Sequence, residues 1–487
     1  MTKSTRTILF IFLAILFFLL APLIVLYSLG WRMDWKNKKI TQPGIFYFKI
    51  WPKNSIIYLN GKLEKKTDFF FGSALLENLM PEKYEVEIKK DGFYPWKKIL
   101  EIKKGGVTEA KNIILVPEGT NFNNLSKNIE NFYFSPDEKK IVFQEITNNQ
   151  NGNNSEDWAL KLFELEKNIK SHLIDEKDIS KENVKLIDLK FSPDSKRIIL
   201  ETEVKESIRY YILPTEQNTE QSIKVSPLDF LEQDIEKVFF SPKNSQKLLV
   251  MTGSIDGETS FLKEADLIDK KTSSPLLEDI VTFSIFNNNI YYFDNAGFLF
   301  KDDLSFNKKE KLNLTPFPAK KETGYKITVY NSYIFLQENE ILYIFDENKK
   351  SFQKIFEPVK NFQISPEADK FVFLNDYEIW VFFLEKENDQ PQKETGDRIF
   401  ITRFSEKIGD IFWFTNHYLI FNLGNKIKIA EIDDRDKINI FDLSSSQSNG
   451  KVSSYKFVEP KIFWNETYKK IFLLSEKNFY VSEKLGP

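Results

Sequence analysis

Side chains able to do chemistry are few in this sequence. Its 487 residues include two histidines, His172 and His417, and no cysteine. That excludes disulfides, thiolate metal sites, a cysteine nucleophile and a lipid-anchored amino-terminal cysteine, and it leaves too few imidazoles for a multi-histidine metal site. No Gly-x-Ser-x-Gly elbow occurs, since Gly72-Ser73 and Gly253-Ser254 lack the second glycine at the required spacing. The 18 glycines are scattered and form no Gly-x-x-x-x-Gly-Lys phosphate loop. Asp433, Asp434, Asp436 and Asn439 could attract a hard cation, but without the glycine and terminal glutamate of a calcium loop they read as a charged turn. His417 follows Thr415-Asn416 and is expected in a structural turn; Trp380, Trp413 and Trp464 fall in expected strands and read as core. No metal, cofactor or catalytic set is implied, and hydrolysis stays open only through carboxylates that one sequence cannot pair.

The elements that must carry these residues are strands. Aromatic residues make up 15% of the chain, with 46 Phe, 19 Tyr and 8 Trp, a composition suited to pleated, half-buried surfaces. The exception is the amino terminus. After a tail of seven residues, Ile8 to Leu29 contains no charge, and at about 1.5 Å per residue it is long enough to cross a bilayer core. Ala21-Pro22 is followed by further apolar residues rather than a cleavage site, so residues 8–30 read as an uncleaved single-pass anchor. Tyr27, Trp31 and Trp35 fall where amphipathic rings prefer the headgroup layer. Flanking charges do not fix orientation, because Lys3 and Arg6 precede the span while Arg32, Lys36, Lys38 and Lys39 follow it. The short tail before a long apolar run resembles a signal anchor, which places the body outside the cytoplasm.

Beyond a linker over residues 31–42, residues 43–118 read as a small antiparallel sandwich with strands at Ile45–Ile50, Ile56–Leu59, Tyr84–Lys89, Lys98–Ile102 and Ile113–Val116. Tyr84, Val86 and Ile88 alternate with charges, and Asn60-Gly61 and Asp91-Gly92 are turn pairs that accept positive φ. The pieces Pro52-Lys-Asn-Ser-Ile-Ile-Tyr-Leu-Asn-Gly61 and Leu79-Met-Pro-Glu-Lys-Tyr84, continuing to Gly92-Phe93, resemble the PEGA domain of bacterial surface proteins. That resemblance implies a wall-, surface- or protein-binding spacer and brings no catalytic residues.

From residue 119 to 487 a phrase returns. Phe132-Tyr-Phe-Ser135-Pro-Asp137 leads into Ile141-Val-Phe143, Leu189-Lys-Phe-Ser192-Pro-Asp194 into Ile198-Ile-Leu200, and related copies begin at Val238 and Phe362. Weaker copies without Ser-Pro run Phe283–Phe293, Ile327–Leu336, Ile411–Phe421 and Ile462–Leu474. Such a period predicts a β-propeller, with apolar inner strands and Ser-Pro turns, whose Ser135 and Ser241 would be accessible if those turns are exposed. The phrase resembles the repeats of TolB-like and WD40-like propellers. Together, anchor, Trp31-Arg-Met-Asp34, PEGA-like unit and propeller resemble membrane proteins of small-genome bacteria. The last copy supplies three strands, and Thr120–Ser126 is expected to complete it; this favours eight blades, or seven if one weak copy is an insertion. Polar runs at Thr147–Asp157, Thr215–Gln221, Glu385–Asp397 and Ser444–Ser453 are expected as loops.

The net charge of −3 gives no reason to expect nucleic acid as a partner. It is unevenly divided, since residues 31–120 hold 17 Lys and Arg against 11 Asp and Glu, while the rest beyond residue 120 is net acidic. Lys89, Lys97 and Lys103 are therefore candidate contacts for an acidic polymer or the membrane. The sequence thus describes an all-β protein, not an enzyme, held in the bilayer by Ile8–Leu29 and recognising an envelope protein or wall polymer. Two alternatives stand beside it: an extracytoplasmic hydrolase using propeller carboxylates, and a platform facing the cytoplasm.

Overall fold

The computed structural model describes residues 3–147, 157–216, 224–231, 234–253, 260–320, 323–448, 451–454 and 456–486. Helix α1 (Lys3–Ser28) has no buried side chain and contains one 18-residue window of mean hydropathy 3.2, so it is long and apolar enough to span a membrane. A short hairpin, β1 (Arg32–Asp34) with β2 (Lys39–Thr41), follows it.

Seven strands then form two facing sheets: β3 (Gly44–Trp51), β4 (Ile56–Leu59), β5 (Lys62–Lys66), β6 (Ser73–Leu79), β7 (Lys83–Lys89), β8 (Trp96–Glu101) and β9 (Val107–Ile114). One sheet has the order β6-β3-β9 and the other β5-β4-β7-β8. Phe46, Phe48, Ile57, Val86, Ile88 and Trp96 fill the space between them. Asn60 and Gly61 take φ of 48° and 76° in the tight β4–β5 turn, as the pair foretells. Two expectations are corrected. The sandwich is not wholly antiparallel, because β9 pairs parallel with β3, and it holds two strands, β5 and β6, that alternation did not reveal. Every residue of β5 is exposed, as an outer edge strand allows, so no apolar period marks it.

Eight four-stranded sheets follow. Blades 1 to 7 span residues 129–175, 184–227, 235–272, 280–311, 325–356, 361–403 and 408–442. Blade 8 has three strands from residues 461–482, and its fourth is β10 (Phe122–Lys127), which pairs antiparallel with Asn478–Ser482. The sequence expected this strand at Thr120–Ser126. The blades form a closed ring, because each successive pair shares an apolar core and the circuit returns from blade 8 to blade 1 through Phe132, Phe143, Phe472 and Phe479. Phe134 and Phe463 stack across that last seam with centroids 4.0 Å apart. The protein is an eight-bladed β-propeller behind a small sandwich.

The recurring phrase performs two tasks. In blade 1 the Ser135 backbone N–H donates to Lys140 O at 2.9 Å, while the Lys140 N–H donates to Ser135 Oγ at 2.9 Å and Ser135 Oγ donates to Asp137 Oδ1. Ser192, Asp194 and Arg197 repeat the arrangement in blade 2. The serines are therefore inside, not on exposed turns: Ser135 and Ser241 are 2% and 7% accessible. The cation ending the phrase reaches the next blade, with Lys140 Nζ donating to Ser195 O and Arg197 to Ser245 O and Gln246 Oε1. Asn465 makes the equivalent latch from blade 8 to blade 1 by donating to Glu138 O at 2.9 Å. Of the polar runs, 148–156 and 217–223 lie outside the described residues. Glu385–Asp397 is a loop between strands of blade 6, and 445–454 contains a two-stranded hairpin.

Closure by β10 gives a direct test. A fragment beginning at residue 119 keeps the fourth strand of blade 8; one beginning at 128 loses it and the burial of Phe122, which alone contributes about 1.5–3 kcal/mol. The shorter fragment is expected to melt several degrees lower and to aggregate through the bare edge of Asn478–Ser482. Scanning calorimetry on both decides it, and equal melting temperatures would contradict closure by β10.

Candidate functional site at the junction of sandwich and ring

Strand β8 reads Trp96-Lys97-Lys98-Ile99-Leu100-Glu101, and its alternation turns Trp96, Lys98 and Leu100 to the same buried face. Lysine there would be untenable without partners, since an unpaired buried ammonium is strongly disfavoured. Blade 7 supplies them. Lys98 Nζ lies 2.8 Å from Glu431 Oε1 and donates to Asp433 O and Lys437 O, each at 2.8 Å. Glu431 also accepts from Trp96 Nε1 at 2.7 Å and from the backbone and side chain of Asn439. Lys98 is 1% and Glu431 2% exposed. Burial pushes the Glu431 carboxyl above the usual carboxylate range, and the adjacent Lys98 ammonium pulls against it.

Further bonds extend the contact. The Ile114 N–H donates to Tyr418 Oη, Arg435 to Glu109 O, and the Ile99 N–H to Asp436 Oδ2; Lys111 pairs with Asp389, and Gln390 both accepts from the Glu109 N–H and donates to Val107 O. Tyr94 stacks on Phe441 at 5.4 Å. Trp51, Tyr94, Ile114 and Val116 share one apolar core with blades 7 and 8. The expected loop Glu385–Asp397 and the acidic turn after Glu431 are thus the two arms that grip the sandwich. Each acidic residue of that turn has its own partner: Asp433 with Arg435, Asp434 with Lys393, Asp436 with the Ile99 N–H.

A cavity of about 40 Å³ remains between the two bodies, lined by Trp96, Glu387, Asp389, His417, Glu431 and Arg435 among others. It has room for a few waters and no more. Burial, then the nearby Lys370 ammonium, holds His417 below the usual imidazole range. Lys370 is itself fully buried, pairs with Asp369 and has Glu387 at 3.6 Å. Carboxylates here lie against cations, Lys370 serving both Asp369 and Glu387 and Lys111 both Glu109 and Asp389. Trp413 and Trp464 are buried in their strands, and Trp380 stacks on Phe373. His172, Asp175 and Asp178 could hold an ion by proximity, but all three are exposed and Asp178 already accepts from the Asp175 N–H.

The three candidate lysines separate. Lys89 and Lys97 share one carboxylate, Glu87, each at 2.8 Å, so much of their charge is answered within the sandwich. Lys103 lies at the other end, where it and Lys83 line a groove of about 580 Å³ shared with Gln390, Pro391 and Arg435. That end also receives the chain that follows α1: Lys104 sits 4.4 Å from the Trp31 ring, Lys36 pairs with Glu82 at 2.8 Å, and the Gly105 N–H donates to Gln42 O. Arg32 lies 3.8 Å from the Tyr27 ring and donates to Tyr27 O at 2.8 Å, covering a carbonyl at the helix end. Trp35 is 82% exposed. Sequence reasoning missed Lys98 and Glu431 and read Asn439 only as part of a charged turn; the one available sign was that Lys98 shares parity with Trp96 and Leu100.

No family model matches the sequence, and comparison with curated proteins returns no match. Solved structures similar to it include the computationally designed Ika8 protein (9% identity, TM-score 0.43, covering 76% of this chain and 99% of that one) and Sqt1 of Saccharomyces cerevisiae (9%, 0.43, 76% and 98%). BamB from Moraxella catarrhalis is another, at 8% identity and TM-score 0.40, covering 75% and 96%. The propeller assignment rests on the blade order and the closed circuit of cores.

The ion pair predicts an asymmetric response. Lys98→Met strands a buried carboxylate and should weaken the junction by about 3–5 kcal/mol. The double change Lys98→Met with Glu431→Gln should recover part of that loss. Limited proteolysis between residues 117 and 121 measures it, with cleavage expected fastest in the single variant; equal protection of all three proteins would contradict a fastening role.

Proposed function

We propose that the protein is a membrane-anchored scaffold of the bacterial cell envelope that holds an eight-bladed ring in a fixed attitude to the bilayer, where its loops bind a protein or wall polymer. The observation that carries this reading is the buried Lys98–Glu431 lock, because it makes sandwich and ring one rigid body instead of beads on a flexible tether. A ring built to turn over a substrate gains little from such a mounting; a recognition surface gains a defined orientation. The resemblance of residues 52–93 to the PEGA domain and the signal-anchor character of the amino terminus favour an extracytoplasmic body. The groove beside Lys83 and Lys103 is where an acidic polymer would find cations without carboxylate partners among the described residues.

Topology is tested with Ser305→Cys, an exposed position on blade 4 in a chain with no other cysteine. A membrane-impermeant thiol reagent should label it in intact cells, and labelling only after lysis would turn the body to the cytoplasm. Binding of the purified protein to anionic wall polymer should weaken with salt, because exposed charges beyond about 8 Å are screened at physiological ionic strength. Lys83→Glu with Lys103→Glu should weaken it further. Hydrolysis of a glycoside, peptide or phosphoester abolished by one carboxylate change in the ring would favour the enzyme instead.

A further inference from the structure

The crossover from β5 to β6 carries Phe69, Phe70 and Phe71 in succession, and they are 69%, 74% and 76% exposed. Three consecutive phenylalanines left in water at a loop tip are costly, so their cause is sought in what they meet. The loop is not slack. Asp68 accepts from the N–H groups of Phe70, Phe71 and Ser73 and from Ser73 Oγ, while the Ser55 N–H donates to Thr67 Oγ1. Gly72 ends the tip at φ 69°, and a Cβ there would lie 2.3 Å from Ile50 O, so only glycine closes this turn. Phe69 and Phe70 pack edge to face at 5.5 Å. The tip is therefore preorganised with its apolar side outward.

Its surroundings are cationic. Lys62, Lys65 and Lys66 are exposed on the edge strand β5, Lys49 on β3 and Lys53 in the loop after it are exposed as well, and none of the five has a carboxylate partner among the described residues. Glu64 and Glu77 are the exposed acids there. Asp68 is ionised too, since the Ser73 hydroxyl and the neighbouring N–H groups hold its carboxyl down to about 2, but those donors already absorb its charge. The edge formed by β5 and β6 is opposite the edge formed by β8 and β9 that grips the ring, so the ring does not cover it.

We propose that Phe69–Phe71 insert into an anionic bilayer, the one that α1 spans, with the lysines of the β5 edge against its headgroups. Exposed aromatic side chains flanked by unpaired lysines are what an anionic interface stabilises. Residue order supplies the geometry. Helix α1 joins the sandwich at the end holding Gly105 and Glu82, and the tip lies at the other end of β3 and β6, about 20 Å away by strand rise. Both ends touch the bilayer only if the sandwich lies along its β5–β6 edge, and that posture lifts the ring off the membrane. The inference rests on reading α1 as a membrane span, and one measurement separates the two.

The full chain carrying Phe70→Cys, labelled with an environment-sensitive fluorophore, is reconstituted into vesicles of zwitterionic and anionic phospholipid containing lipids spin-labelled near the headgroup. Quenching at position 70 should exceed that of the same label at Ser305→Cys about twofold or more, and should fall in zwitterionic vesicles or with Lys65→Glu and Lys66→Glu. A label at 70 that stays water-exposed and unquenched overturns the proposal. So does a label shielded from water without lipid quenching, the sign of a protein partner or a second copy. Alkaline extraction reads α1 alone: retention with no quenching at 70 removes this inference and leaves the anchor, whereas release removes the anchor and lets quenching decide the tip.

Discussion

Everything in the body of this protein depends on closing a ring. The second strands of blades, such as Lys370–Leu374 and Tyr418–Leu423, are buried along their whole length, which no isolated four-stranded sheet can achieve. Each blade is therefore stable only between two neighbours, and a row of such blades would leave two apolar faces bare. The chain removes the problem by placing one strand of blade 8 before blade 1. Phe132 and Phe143 then meet Phe479, with ring centroids 4.8 and 4.9 Å apart, and the last open faces cover each other. The latches from Asn465, Lys140 and Arg197 add direction to this packing, since each reaches forward to the turn of the following blade.

With the ring closed, the junction solves a different problem. Burying an ion pair brings little net stability, because desolvation of both groups offsets their attraction. Its value at Lys98 and Glu431 is register. Three acceptors around the ammonium and four donors around the carboxylate are satisfied in only one relative placement of sandwich and blade 7. Apolar contacts such as Tyr94 on Phe441 could slide; the polar set cannot without leaving buried groups unpaired.

Legibility in the sequence followed the range of the interaction. The phrase around Ser135 and Ser192 encodes a local turn, so it announces blades directly, and a three-strand remainder at the carboxyl end announced β10. What local pattern could not carry was lost. Strand β5 has no buried face, so nothing in Lys62–Lys66 alternates. The parallel pairing of β9 with β3 depends on a crossover through the whole sandwich. Lys98 looks like any strand lysine until its parity with Trp96 and Leu100 is noticed, and its partner lies some 330 residues away. Lys97 looked like a free cation because Glu87 sits opposite it only once β7 and β8 pair, and Lys89 then shares the same carboxylate from two residues along β7. The accessibility of the turn serines stayed open for a related reason: a Ser-Pro turn is exposed in isolation, but here Ser135 and Ser241 are buried.

These joints rank in stiffness, and the ranking says where orientation is set. Between ring and sandwich the contact is buried, apolar and fully hydrogen-bonded. Between sandwich and helix it is thinner, made of Arg32 on Tyr27, Lys104 on Trp31 and an exposed Lys36–Glu82 pair, each of the kind that contributes about 1 kcal/mol or less. A bracket rigid at its outer joint and compliant at its inner one cannot fix its own tilt through the helix alone. A second foothold on the bilayer is what such a mounting lacks, and the most exposed apolar cluster of the sandwich is the tip at Phe69–Phe71, placed on the edge away from the ring.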